Sequence, residues 1–382
     1  MAEPFKNLIR REGVELAARH LRRTWPAFDE NAFVARATHG LEGLELKARA
    51  MQIADALEAT LPSDFAQAAA VIEAALAPPA AGDGALEAAD PAQGLAGWIL
   101  WSVGEFVARR GQDDPARALE TLRQLTQRFS AEFAIRPFIV RHPELAFATL
   151  ARWTRDPSAA VRRLVSEGSR PRLPWGLRLH ALVADPSPTL PLLRALQDDP
   201  SADVRRSVAN HLNDIAKDHP ALVAAWIDEH LPGASAERRA LLRHASRTLI
   251  KRGDARVHAQ WGHGERLRGT ARLAIRPARV ALGGAVTLTL ELGTHSARAQ
   301  TLEIDYAVHH VKADGGTSPK IFKGWRVELP ARGSLTLVKR HSLRPVTTRR
   351  YFAGRHLVQV QINGTAVAEA AFALTVPRGA SE

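Results

Sequence analysis

The chain has 382 residues, 46% of them hydrophobic and none of them cysteine; that length allows two or three domains with substantial cores, and disulfides and thiolate metal sites are excluded. No apolar run approaches bilayer length, and MAEPFKNLIRREGVELAARHL lacks the pattern of a secretory signal, so a cytoplasmic protein is expected. The formal charge is +12, and 18 Lys and Arg against 7 Asp and Glu from Arg266 onward place +11 of it in the last third, which points to an anionic partner, most often nucleic acid, or to a surface charged for solubility.

Residues 1 to about 77 repeat apolar positions at helical spacing, broken at Pro62, Ser63 and Asp64. Pro78 to Gly94 is rich in Ala, Gly and Pro and is expected to be an exposed loop. In GWILWSVGEF, Trp98 and Trp101 sit three apart on one helix face, as core or as groove lining. DPSAAVRRLV (Asp156 to Val165) and DPSADVRRSV (Asp199 to Val208) then match at eight of ten positions, 43 residues apart. Pro143 and Pro186 precede them at equal distance, Pro220 with SAERRALL forms a looser copy, and SAEFAIRPFI (Ser130 to Ile139) a divergent one. A Ser-Ala pair is expected to cap each second helix. Two helices per unit of about 40–47 residues is the signature of HEAT-like repeats, which stack into a solenoid.

After Arg268 the texture changes. VTLTLEL, TLEIDYAVHHV, WRVELP, SLTLVKR, HLVQVQING and AFALTV read as strands between Gly, Pro and Asn punctuation. The expected architecture is an all-α HEAT-like solenoid over residues 1–262 followed by an all-β immunoglobulin-like sandwich over 268–377. His309 and His310 lie on one strand with their rings on opposite sides, which argues against joint metal binding.

On the helix from Ser201 to Lys217, Val204, Val208, Leu212 and Ile215 form the core face, while Arg206, Asn210 and Asp214 line a polar face. Asp214 is thus expected to point away from the core, with no packing role. Glu167 stands near the corresponding helix end one repeat earlier. Helix C-termini disfavour anions, so these two acids either have a use or are solvated and balanced by nearby arginines. Glu132, after Ser130, is expected in a first helical turn, where an acid is favourable on local grounds alone. The strap SEGSRPRLPW after Glu167 holds Trp175 behind two prolines, either displayed for stacking or packed between helices. The sequence has no P-loop, no G-x-G-x-x-G and no G-x-S-x-G.

The start MAEPFKN, the run LELKARAMQIADAL, SAEFAIRPF, SEGSRPRLPW and RRSVANHLNDIAKDHP together resemble the AlkC branch of the HEAT-repeat DNA glycosylases, over essentially the whole chain. The resemblance implies base excision repair of cationic N-alkylated bases, chiefly 3-methyladenine, with 3-methylcytosine and 1-methyladenine beside it. It places the functional residues on Asp214, Glu167, Glu132 and Trp175, with no cofactor or metal. Asp214 would stabilise the oxocarbenium-like sugar and orient water, and Trp175 would contact the lesion. The implied partner is double-stranded DNA, bound by a nucleoid-associated monomer. Phosphate contacts are expected from Arg136, Arg170, Arg172 and Arg206 in the solenoid. Lys320, Lys323, Arg349 and Arg350 are expected on loops and strand ends of the sandwich, acting as a clamp. Phe322 and Trp325 would wedge into a groove, or Trp325 would fill the sandwich core. The rival class is a non-catalytic HEAT scaffold that binds nucleic acid or an acidic protein.

Overall fold

A computed structural model describes residues 4–79, 89–261, 266–346 and 349–376. Of the loop expected over Pro78 to Gly94, residues 80–88 lie outside these. The helices, in chain order, are α1 (Arg11–Thr24), α2 (Glu30–Thr38), α3 (Leu46–Thr60), α4 (Phe65–Ala75), α5 (Ile99–Arg110), α6 (Pro115–Thr126), α7 (Arg136–Arg141) and α8 (Pro143–Trp153). They continue with α9 (Ala159–Gly168), α10 (His180–Ala184), α11 (Leu190–Leu196), α12 (Ala202–Ile215), α13 (Pro220–His230), α14 (Ala236–Ala245), α15 (Arg247–Arg252) and α16 (Ala255–Gln260). Among the described residues, no helix is long and apolar enough to cross a membrane. The chain divides into two compact units. One is residues 1–219 with 233–245; the other is residues 220–232 with 246–382.

In the first unit the repeats pack as paired helices. α8 lies against α9, α11 against α12, and the second helices α9, α12 and α14 stack in turn. The apolar face of α12 is fully used, with Val204, Val208, Leu212 and Ile215 all buried. Repeats are joined by charge as well as packing. Arg123 donates to Asp156 at 2.6 Å, and Arg162 donates to Asp199 of the next repeat at 2.6 and 3.0 Å. Each aspartate also accepts the amide of the serine two residues on, at 2.8 Å for Ser158 and 2.9 Å for Ser201. The expected serine caps are therefore corrected at three of the four copies, since Ser130 donates to Glu132 and leads into a turn rather than a helix. Ser158 and Ser201 make no side-chain cap bond, because the preceding aspartate already shapes the turn. Only Ser235 accepts from the amide of Arg238, at 3.2 Å.

The second unit contains α13, α15, α16 and eight strands: β1 (Gly269–Arg276), β2 (Arg279–Ala281), β3 (Ala285–Thr294), β4 (Gln300–Val311), β5 (Thr317–Leu329), β6 (Ser334–Ser342), β7 (Gly354–Ile362) and β8 (Thr365–Thr375). One sheet runs β1-β3-β6 and the other β2-β8-β7-β4-β5. Alternate residues face inward, so Leu288, Leu290, Ile304, Val308, Val358, Val360 and Phe372 meet in one core. The sequence expectation of six segments omitted β1 and the three-residue β2. In β1 only every second residue is half-buried, as befits a sheet edge, and its arginines mask the apolar pattern.

Histidines are buried in this core. Burial, and then the nearby positive charge of Arg349, push His341 down to about 4 and His310 down to about 3. In the unfolded chain both take up a proton near pH 6.5. Their contribution to stability is therefore complete above pH 6.5 and lost as the pH falls from there towards 4 and 3. Sandwich stability should drop by about 1.4 kcal/mol per pH unit for each histidine in this window. Chemical unfolding followed by circular dichroism from pH 7 to 4 should show the slope, and His310→Leu should flatten it. A pH-independent midpoint would mean these rings are already charged in the folded chain.

Candidate functional site

α9 ends at Gly168, where only glycine fits: an added Cβ would lie 2.5 Å from Ile135 Cγ2. The chain then leaves the helix as a strap, and Arg136 holds both ends of it. Its guanidinium donates to Gly168 O at 2.8 Å and to Leu177 O at 2.5 Å. Within the strap, Trp175 adopts a left-handed backbone, φ 63°, which is uncommon for a bulky residue and costs about 1–3 kcal/mol. The indole is 61% exposed and lies parallel to Trp101, with centroids 6.4 Å apart and planes at 4°. Trp101 is itself buried and stacks on Phe133 at 4.9 Å. Trp175 is therefore displayed rather than packed between helices.

Beneath the strap, Arg170 joins two carboxylates from adjacent repeats. It donates to Glu167 Oε1 at 2.5 Å and to Asp214 Oδ2 at 2.9 Å. Ser207 donates to the other oxygen of Glu167 at 2.6 Å, and Lys217 to the other oxygen of Asp214 at 2.7 Å. Asp214 is only 1% exposed. The expectation that it points away from the core is overturned: the strap folds back over the end of α12 and covers it. The α9 and α12 C-termini disfavour these anions, and Arg170 and Lys217 offset that cost. Burial opposes the charge on Arg170, but the two carboxylates outweigh it and raise its pKa. Arg136 has no such partner; burial, then the neighbouring Arg170, lower it to about 10.

Glu132 is not in a helix. It sits in the turn before α7, bound by the Ser130 hydroxyl and by Arg163 Nη1 at 3.1 Å. All three carboxylates favour the charged form of Arg136. Two of the expected phosphate contacts are corrected. Arg136 is fully buried and Arg170 is 8% exposed, and both are engaged inside the site. Arg172 is paired with Asp218 through two bonds of 2.7 Å, while Arg206 is exposed on α12.

Sequence reasoning missed Ser207, Lys217 and the clamp role of Arg136. Ser207 had a signal: it replaces Leu164 of the preceding repeat, a polar residue on a core-facing position. Leu177, 52% exposed two residues after Trp175, had none.

In the sandwich, Lys320 and Lys323 are exposed within β5, an edge strand, rather than on a loop. Lys320 lies over Phe322 at 5.4 Å. Arg349 and Arg350 follow β6, at 6.0 Å from Tyr351 and 5.6 Å from Phe352. Phe322 and Trp325 both pack, partly buried, against the sandwich core, the alternative expected for Trp325. Among the described residues, no group of three His, Asp or Glu could hold a metal ion.

Residues 269–376 match a family model described as the C-terminal Ig-like domain of the uncharacterised protein YhaZ. YhaZ of Bacillus subtilis (strain 168), an uncharacterized protein, is 34% identical over 367 residues, covering 94% of this chain and 96% of its own. Among solved structures, the alkylpurine DNA glycosylase AlkC of Pseudomonas fluorescens, bound to DNA containing an abasic site analog, superposes with a TM-score of 0.88. The identity is 34%, over 98% of this chain and 100% of that one. With whole-length likeness in sequence to both proteins, and in fold to the glycosylase, the chain belongs to the AlkC family.

Proposed function

We propose that this chain is a DNA N-glycosylase that removes cationic N-alkylated bases, 3-methyladenine first, with 3-methylcytosine and 1-methyladenine as further substrates. Family membership supports the reading, and one arrangement carries it. Two buried carboxylates, Glu167 and Asp214, are fixed by Arg170 of the same strap that displays an exposed indole, Trp175, in a strained backbone. An alkylated base already bears positive charge. The glycosidic electron pair therefore leaves with it, the base departs neutral, and no general acid is needed. The sugar becomes cationic as the bond stretches, and water must add to it. Carboxylates held by Arg170, Ser207 and Lys217 need no reorientation when that charge appears, which is where preorganised groups act most strongly. In this reading the buried charges of Asp214 and Glu167 stabilise the sugar through space, and Glu132, which is partly exposed, shapes the margin and helps hold the water. Trp175 meets the deoxyribose or the lesion.

The test is excision from DNA carrying 3-methyladenine by the full-length chain. If the folded protein binds such DNA and releases no base, a non-catalytic scaffold replaces this reading. Trp175→Ala refines it. Because the indole is exposed, thermal stability should stay within about 0.5 kcal/mol of the parent. Lesion binding should weaken by about 1–3 kcal/mol, the usual worth of one aromatic stacked on a base, and excision should fall with it. Unchanged lesion affinity would remove Trp175 from recognition.

A further inference from the structure

A cleft of about 630 Å³ opens in the helical unit between the start of α1, the segment 89–99 and the turn carrying Glu132. That volume lies within the about 300–1,000 Å³ typical of small-molecule sites. Glu132 and Arg163 belong to its lining; Glu167, Arg170, Asp214 and Trp175 do not. Trp98 and Phe129 form one wall, with centroids 5.1 Å apart. Leu16 and Ile99 add apolar surface. The polar side chains of the lining are Arg10, His20, Ser130, Glu132 and Arg163. The Glu132 carboxylate is fixed by Ser130 and Arg163. His20 Nε2 lies 2.8 Å from Pro91 O and must donate to it, which leaves Nδ1 as an acceptor. At Gly13, also on the wall, an added Cβ would meet nothing within 4 Å, so the space there is open.

We propose that this cleft binds a single planar N-heteroaromatic base, in the first instance the one released by excision; the assignment rests on the glycosylase reading above. The released base is neutral, flat and carries N–H donors. Aromatic walls match its faces, and a fixed carboxylate with an imidazole acceptor matches its edge. An aliphatic ligand would leave both acceptors unmatched. The cleft adjoins the reacting region through Glu132, so a base leaving the sugar has a site to enter, and its retention would slow turnover.

The experiment is a titration of the full-length chain with free 3-methyladenine, followed by tryptophan fluorescence. Saturable quenching is expected, weakened by about tenfold or more in Gly13→Phe, which fills the cleft. Leu16→Trp is a second filling variant should the first fail to fold. A parallel arm uses a duplex with 2-aminopurine opposite an abasic-site analogue. Quenching there that Gly13→Phe abolishes would assign the cleft to a base of the DNA and leave its ring chemistry standing. No saturable change in either arm, or equal affinity in both filled variants, overturns the proposal. The fluorescence arm needs no catalysis. Base binding without excision would sink the glycosylase reading alone, and excision without base binding would sink the cleft alone.

Discussion

Asp214→Asn should lower the rate of 3-methyladenine excision by about 10²–10³-fold, the usual cost of removing one preorganised electrostatic contact from a developing charge. The structure adds a second effect that an exposed acid would not have. Asp214 is buried and takes Arg170 on one oxygen and Lys217 on the other. A neutral amide leaves Arg170 to Glu167 alone, in a buried position where loss of a partner costs up to about 3–5 kcal/mol. The side chain of Lys217 is 38% exposed and can turn to water, so the fall should lie towards the lower end. Excision must therefore be measured in single turnover per folded molecule, beside a thermal melt. Activity within about threefold of the parent, under 1 kcal/mol of barrier, would remove Asp214 from the mechanism. Glu167→Gln should behave alike but more mildly, since Ser207 can still bond its remaining oxygen.

Much of this was legible in the sequence because it depends on local period. The 43-residue repeat showed paired helices, and the buried face of α12 followed from 3.6-residue spacing. The β texture after Arg268 located the sandwich, although β1 escaped because arginines stand among its apolar residues and β2 because it has only three residues. What periodicity could not show was where the strap goes. On an isolated α12, Asp214 lies off the apolar stripe, and only a covering segment from another repeat buries it. Arg170 and Arg172 likewise read as phosphate grips, because charged residues next to proline and tryptophan look exposed. Their partners Asp214 and Asp218 stand more than forty residues away, and no local pattern joins them. The same tertiary effect turned Arg136 from a surface cation into the clamp of the strap.

A distinction between cations paired with carboxylates and cations set on aromatic rings underlies the second large effect. In the helical unit, Arg162, Arg170 and Arg172 spend their charge on carboxylates. In the sandwich, Lys320, Arg349 and Arg350 lie over Phe322, Tyr351 and Phe352. An aromatic face positions a cation without cancelling its charge, so that arrangement is compatible with binding phosphate. Changing Lys320, Lys323, Arg349 and Arg350 together to Gln should flatten the dependence of log affinity on log salt. Each duplex phosphate that the variant no longer neutralises takes about 0.9 off the slope, so the limit for four is about 3.6. Arg349 is half-buried and should contribute least. The variant should fold as the parent does, because three of the four side chains are exposed and none carries sandwich core. Excision should persist at low salt and fail sooner as salt rises, since Glu167, Asp214 and Trp175 are untouched. Titrating parent and variant against methylated and unmethylated duplexes at several salt concentrations measures this. Equal slopes would mean that the basic surface of the sandwich serves a different anionic partner and that the phosphate contacts lie on the helical repeats, where exposed Arg206 would be the next residue to change.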